Sequence, residues 1–229
     1  NKLLLLPLAF LCLALVLRSS ARPKNVVLML SDDHRYDFLG FIEDAPDFLE
    51  TPNLDRLARE GAHLANAFVT TSLCSPSRAS ILTGQYMRRH HVVDNQRPVP
   101  AGTRFFPEYL QQAGYQTAYV GKWHMGHEND EPRKGFHHWV SFPGQGVYFD
   151  PVLNLNGKRK AFEGYLADVL ADQAVDWLDS VAPAAGKGKP FFLQVGFKSV
   201  HYPFRPAPRH DERYTGKPID YPETMANTE

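Results

Sequence analysis

Two uninterrupted apolar runs constrain the fold of this chain most: Asn25–Leu30 (Asn-Val-Val-Leu-Met-Leu) and Pro190–Phe197 (Pro-Phe-Phe-Leu-Gln-Val-Gly-Phe). Neither alternates apolar with polar residues, so neither suits a strand with one wet face. Runs of this length and branching fit strands buried on both faces of a parallel sheet. A third strand is expected over Gln116–Gly121, and a candidate strand lies near Leu64–Val69. Helical signals fall between them. Thr51-Pro52 supplies a cap and an N1 proline, and Gly61 a stop. Pro107–Ala113 is closed by Gly114, and Glu163–Ser180 spaces Leu166, Val169, Leu170, Ala174, Trp177 and Leu178 along one helix face. Residues 125–160 read as loops or small hairpins, 182–189 as a flexible connection, and 205–229 as a polar, proline-rich tail. The alternation of strand and helix predicts an α/β fold, a mostly parallel sheet with helices on both faces.

Each expected strand ends in polar residues: Asp32 and Asp33 after the first, Lys122 and His124 after Gln116–Gly121, and Lys198 and His201 after the last. In a parallel sheet these ends share one edge, where open α/β sheets place their ligands. Taken singly, the carboxylates read as a polar loop, Lys122 as a surface lysine, and His124 and His201 as hydrogen-bonded structural histidines. Their convergence on one edge favours a site.

With 229 residues, the chain is long enough for one domain with a sizeable core. Its 43% hydrophobic and 22% charged content argue against disorder. A formal net charge of zero gives no electrostatic case for nucleic acid or an anionic membrane. Lys2 precedes an apolar run from Leu3 to Leu17, followed by Ser19-Ser20-Ala21. This is the pattern of a secretory signal peptide over residues 1–21, too short for a comfortable membrane span. No stable membrane insertion is therefore expected, and the product would be secreted or periplasmic, or lysosomal in a eukaryote. Cys12 would leave with the signal, so Cys74 would stand alone and form no intrachain disulfide. Position 1 is Asn rather than Met.

Cys74 opens the stretch Cys74-Ser75-Pro76-Ser77-Arg78, followed by Leu82-Thr83-Gly84. Pro76 suits the first helical position, Ser75 the cap, and Gly84 the stop. That places Cys74 just before a helix N-terminus, a setting that lowers a thiol pKa. Arg78 offers a planar fork to an oxyanion. An isolated cysteine is more often a small buried hydrophobe, but here the whole run counts. It resembles the signature of the formylglycine-dependent sulfatases, and the resemblance extends from Lys24 to about Phe204.

The resemblance implies an alkaline-phosphatase-like fold and a sulfuric ester hydrolase. Cys74 would be oxidised to formylglycine by a maturation enzyme, and the aldehyde hydrate would attack sulfur. Asp32, Asp33 and residue 74 would bind Ca²⁺. Arg78 would hold the hydrate, Lys122 and His201 would bind sulfate, His124 would act as base, and His201 would assist the leaving group. His34 would adjoin the metal carboxylates. The segment Arg89–Asn95 looks like that of N-acetylglucosamine-6-sulfatases and their bacterial relatives. It points to a sulfated carbohydrate of glycosaminoglycan or mucin type, with His and Asp contacting sugar hydroxyls.

The family pattern also has an Asp-Asn pair and a further lysine downstream of the His201 equivalent, and no Asp-Asn pair follows His201 here. Asp94-Asn95 precedes the Lys122 strand and lies in the wrong order. Residues 22–229 therefore read as the N-terminal part of a catalytic domain, cut so that an apolar sheet edge is exposed. Two readings compete with the sulfatase. A phosphatase or phosphonate hydrolase of the same superfamily would commonly use Ser or Thr and two zinc ions, which Cys74 argues against. A catalytically incomplete glycan-binding fragment is favoured by the missing pair.

Overall fold

A computed structural model describes residues 23–219; the expected signal segment and the last ten residues lie outside them. The strands are β1 (Val26–Leu30), β2 (Gln116–Lys122), β3 (His138–Phe142), β4 (Val152–Leu155), β5 (Lys158–Ala161) and β6 (Phe191–Gly196). The helices are α1 (Pro52–Glu60), α2 (Cys74–Thr83), α3 (Met87–His90), α4 (Phe106–Gln112) and α5 (Leu166–Ala185). A 3₁₀ turn covers Pro208–His210. The strands form one sheet in the order β1-β6-β2-β3-β4-β5. The pairs β1–β6, β6–β2 and β2–β3 are parallel, while β4 and β5 form an antiparallel hairpin on the far edge.

Alternate residues of each strand feed two cores. On one face Ala118, Val120, Val140, Phe142, Leu193 and Val195 meet Leu166, Val169, Leu170, Ala174 and Trp177 of α5. On the other, Tyr119 and Trp139 meet Ala79 and Leu82 of α2, with Phe105, Trp123 and Met125. Helices thus cover both faces. Each fully buried Leu, Val or Phe contributes about 1.5–3 kcal/mol, so these two clusters supply the main drive to fold. β2 and β6 approach closely at Gly121 and Gly196. Gly121 has φ +122°, and a Cβ there would run into the Gly196 backbone, so only glycine fits.

Several expectations change in the structure. Among the described residues β1 is an edge strand rather than one buried on both faces; Val26, Val27 and Met29 are exposed. The candidate strand near Leu64–Val69 is irregular chain with one turn, and Leu64, Phe68 and Val69 are exposed, because no sheet neighbour among the described residues offers a ladder. Residues 125–160 do hold a hairpin, β4–β5, but they also hold β3, an interior strand. Its His138 and Ser141 broke the apolar pattern that marks such strands. α5 begins at Leu166 and continues through Pro183 to Ala185, so the flexible connection shrinks to a few residues. Among the described residues no helix is long and apolar enough to cross a membrane.

Candidate active site

Cys74 is the first residue of α2 rather than the residue before it, and Leu73 is the N-cap. Ser75 does not cap; its hydroxyl donates to the carbonyl of His124. The capping acceptor comes from a distant segment, since Asn95 Oδ1 accepts the Ser75 N–H at 3.0 Å. Gly84 ends the helix at φ +66°, as its type predicts. The first turn of α2 is thus pinned by residues 95 and 124, which fixes where Cys74 sits.

The carboxyl ends of β1, β2 and β6 converge on that turn. Asp32 follows β1, and its backbone pairs with the chain leaving β6: its N–H donates to Ser199 O at 2.8 Å, and its carbonyl accepts Val200 N–H at 2.7 Å. Asp32 as a whole is 5% exposed. Oδ2 accepts from the Lys122 ammonium and, at 3.3 Å, from Arg78 Nη2. Oδ1 lies 3.6 Å from Cys74 Sγ, and Lys122 Nζ is also 3.6 Å from that sulfur. Lys122 donates a further bond to Gln145 Oε1. Arg78, almost fully buried, donates to the carbonyl of Lys122 at 2.6 Å and lies 3.5 Å from that of Phe197. Its fork is therefore spent on Asp32 and two backbone carbonyls rather than left free for an oxyanion. Arg78 ties α2 to the ends of β2 and β6.

Charges follow this geometry. Burial pushes the Asp32 carboxyl up, but Arg78 and Lys122 more than offset it, and its pKa lies below the ordinary value. The expectation of a lowered thiol pKa at Cys74 fails. Burial raises it, Lys122 and Arg78 offset this only in part, and Asp32 and Asp33 add to the rise. Burial, helped by the two carboxylates, outweighs the nearby cations, so Cys74 stays a thiol and is no ready thiolate.

His124 is buried in a left-handed backbone conformation, φ +51°, and its Nδ1 has no partner among the described residues. Burial, then Lys122 and Arg78, pull its pKa down to about 3. The ring is neutral at ordinary pH and holds no second proton to give. His201 Nδ1 lies 2.6 Å from the carbonyl of Tyr202, so that nitrogen carries the proton, and Nε2 faces Asp33 Oδ2 at 3.6 Å. Asp33 has φ +52° and an exposed side chain. Non-glycine residues in this region cost energy and cluster at functional sites.

Asp32, Asp33 and Cys74 each offer a donor atom within 4.8 Å of the others. Thus Asp32, Asp33, Cys74, Arg78 and Lys122 come together, His201 joins through Asp33, and His124 through its carbonyl and Ser75. His34 turns away, its Nε2 bonding the Phe38 carbonyl at 2.8 Å. His90 is also turned into the fold. It is buried, its Nδ1 accepts the Val92 N–H at 3.1 Å, and Nε2 bonds Ser80 Oγ at 3.0 Å. Asp94 Oδ1 caps its own turn, accepting the N–H groups of Gln96 and Arg97. Gln145, Tyr148 and Asn95 were missed as site residues. They lie in stretches without periodicity, and only folding brings them to the edge.

The sequence profile of the sulfatase family matches residues 24–227. The chain belongs to the sulfatase family. The N-acetylglucosamine-6-O-sulfatase of Bacteroides thetaiotaomicron is 38% identical over 217 residues, covering 90% of this chain and 36% of that protein. The N-acetylgalactosamine-6-sulfatase of Mus musculus is 31% identical, covering 83% of this chain and 42% of that protein. A solved structure of a protein in complex with its substrate, D-glucosamine-2-N,6-O-disulfate, superposes with a TM-score of 0.80 at 35% identity, covering 90% of this chain and 40% of that one. This sulfatase-family chain therefore has the alkaline-phosphatase-like arrangement of its relatives, and it spans about two-fifths of their length.

Proposed function

We propose that the whole gene product is a secreted or periplasmic hydrolase of sulfate monoesters, acting on the 6-O-sulfate of an amino sugar in glycosaminoglycan or mucin glycans. The observation that carries this is the buried cluster in which Asp32 and Lys122 converge on Cys74 while Arg78 locks the strand ends together. The relatives named above support the sugar class, since two are named for 6-sulfated amino sugars and the third holds one as substrate.

The donor set suits Ca²⁺ in part. Two carboxylates bring up to four hard oxygens of the 6–8 that the ion takes, and Asp32 keeps Oδ1 toward residue 74. A sulfur ligand is out of keeping with this hard set; an oxygen at residue 74, as formylglycine brings, matches it. Asp32, Asp33 and residue 74 would thus hold the ion, which supplies positive charge beside the sulfate. Formylglycine at position 74, made by a maturation enzyme, supplies the nucleophilic oxygen.

The other residues divide the remaining work. Lys122 is poised between Asp32 and residue 74 and binds a sulfate oxygen where charge develops. Arg78 positions Lys122 and Asp32 through the carbonyl and the carboxylate. With Nδ1–H bonded to Tyr202 O, His201 Nε2 is the nitrogen that can take up a second proton, beside the Asp33 carboxylate, and pass it to the leaving alcohol. Neutral His124 accepts the proton released when residue 74 is regenerated.

The test is to produce the whole gene product with and without a formylglycine-generating enzyme. The Cys74 peptide should be lighter than its thiol form only in the first preparation, and only that preparation should release sulfate from N-acetylglucosamine 6-sulfate. A thiol at position 74 in a host that matures other sulfatases, or wild-type turnover by Cys74→Ala, would refute the nucleophile. Faster turnover of 2-sulfated iduronate would refute the sugar class, and faster turnover of a phosphate monoester the reaction class.

A further inference from the structure

Lys198 lies two residues beyond β6 and is 4% exposed. Unlike the other buried cations of the site, it has no carboxylate within ion-pair distance among the described residues. Asp32 is taken by Lys122 and Arg78, and Asp33 faces His201. The Lys198 ammonium donates to the carbonyl of Tyr202 at 3.3 Å and sits 4.8 Å from the ring centroid of Tyr148. Only one of its three N–H groups has a hydrogen-bond acceptor among the described residues, and the ring faces the ammonium without accepting a conventional bond. Both contacts are aimed. Tyr148 stacks on Tyr165 at 5.8 Å and anchors its hydroxyl on the carbonyl of His201. The loop carrying Lys198 is clamped to Asp32 through Ser199 and Val200.

A buried ammonium without a counter-ion is costly, and a purely structural role against an aromatic ring would be filled better by Met or Leu. The charge therefore calls for an anion. It feels Lys122, Asp32, Cys74 and Asp33, so it belongs to the same electrostatic unit as the reacting centre, and burial together with Lys122 already pulls its pKa down. An anion arriving beside Lys122 relieves both lysines.

Building on the sulfatase reading, we propose that Lys198 is a substrate-contacting residue: a free N–H meets an oxygen of the same sulfate group that Lys122 binds, from the carboxyl end of the neighbouring parallel strand. It supplies a second ammonium to that group from within this chain.

The experiment uses the whole gene product, with inorganic sulfate and the desulfated amino sugar as competing probes. Lys198→Met keeps the stem and removes the charge. A lost charge-assisted contact predicts about 10- to 100-fold weaker inhibition by sulfate and a matching fall in kcat/KM, with inhibition by the neutral sugar unchanged. A merely structural residue would weaken both inhibitors together or neither. Sulfate inhibition within about twofold of wild type in a folded Lys198→Met protein overturns the assignment, as does equal loss for both probes. Where Met does not fold, Lys198→Gln is read against the same limits. A wild-type protein that turns over no sulfate ester overturns the function instead; Lys198 is then judged by whether sulfate raises the thermal midpoint of wild type but not of the variant.

Discussion

Gly196→Ala tests the joint between the strand ends without replacing any ionisable group. A Cβ at position 196 would lie 3.0 Å from Arg78 Nη1, 3.1 Å from the carbonyl of Lys122 and 3.3 Å from the hydroxyl of Tyr119. The first two contacts are about 0.5 Å inside the separation at which carbon packs best. None of the three neighbours can retreat freely. Arg78 and Tyr119 both donate to the Lys122 carbonyl, and all three residues are buried. Overpacking of this kind costs about 1–3 kcal/mol. At about 2–4 °C per kcal/mol for a chain of this size, the midpoint should fall by roughly 2–12 °C. The guanidinium must also shift by a few tenths of an ångström, carrying Lys122 with it, and turnover should fall about tenfold in protein that remains folded. The assay is thermal unfolding by circular dichroism, paired with aryl sulfate turnover well below the midpoint. Gly186→Ala is the control. It sits at the end of α5 with ordinary helical dihedrals and no neighbour nearer than 3.7 Å, so it should be neutral or stabilise by about 0.4–1 kcal/mol. A Gly196→Ala protein melting within about 1 °C of wild type, with undiminished turnover, would refute the claim that this joint is tightly packed and positions Lys122.

Asp32→Asn and Asp33→Asn should separate charge balance from metal binding. Asp32→Asn strands two buried cations and should lower stability by about 3–5 kcal/mol in denaturant titration, while Asp33→Asn, exposed, should cost little. In both, the rise in midpoint on adding Ca²⁺ should vanish; a full Ca²⁺ response in Asp33→Asn would remove it from the metal site. The histidines predict the acid limb of stability. His90, His124 and His138 all have pKa values lowered chiefly by burial, so the unfolded chain takes up protons first as pH falls below about 6.5. Their contribution is complete above that pH and is lost toward the folded values, with His124 alone worth roughly 2 kcal/mol at pH 5. His124→Gln should flatten the decline in denaturant-derived stability between pH 6.5 and 4; an unchanged slope would contradict the burial argument.

Period and punctuation in the linear chain determined the parallel-sheet class, the strands β1, β2 and β6, the helices α1, α4 and α5, and the stop at Gly84. These are local quantities, set by apolar spacing and by the φ that Gly and Pro allow. The run from Cys74 to Gly84 marked the family, and the polar residues after three strands marked the edge, because parallel strands present their carboxyl ends together. What the chain could not express locally was pairing. β3 was hidden because its His138 and Ser141 are polar, and only the ladder with β2 makes it interior. The apolar β1 looked doubly buried, yet among the described residues it is an edge strand, since burial depends on which neighbour lies alongside. The capping of α2 by Asn95, the locking of Arg78 onto Lys122 and the rise of the Cys74 pKa all join segments 20 to 48 residues apart. Such properties belong to contacts between elements. Tertiary structure alone decided them, because burial and neighbouring charge exist only once the strand ends have met.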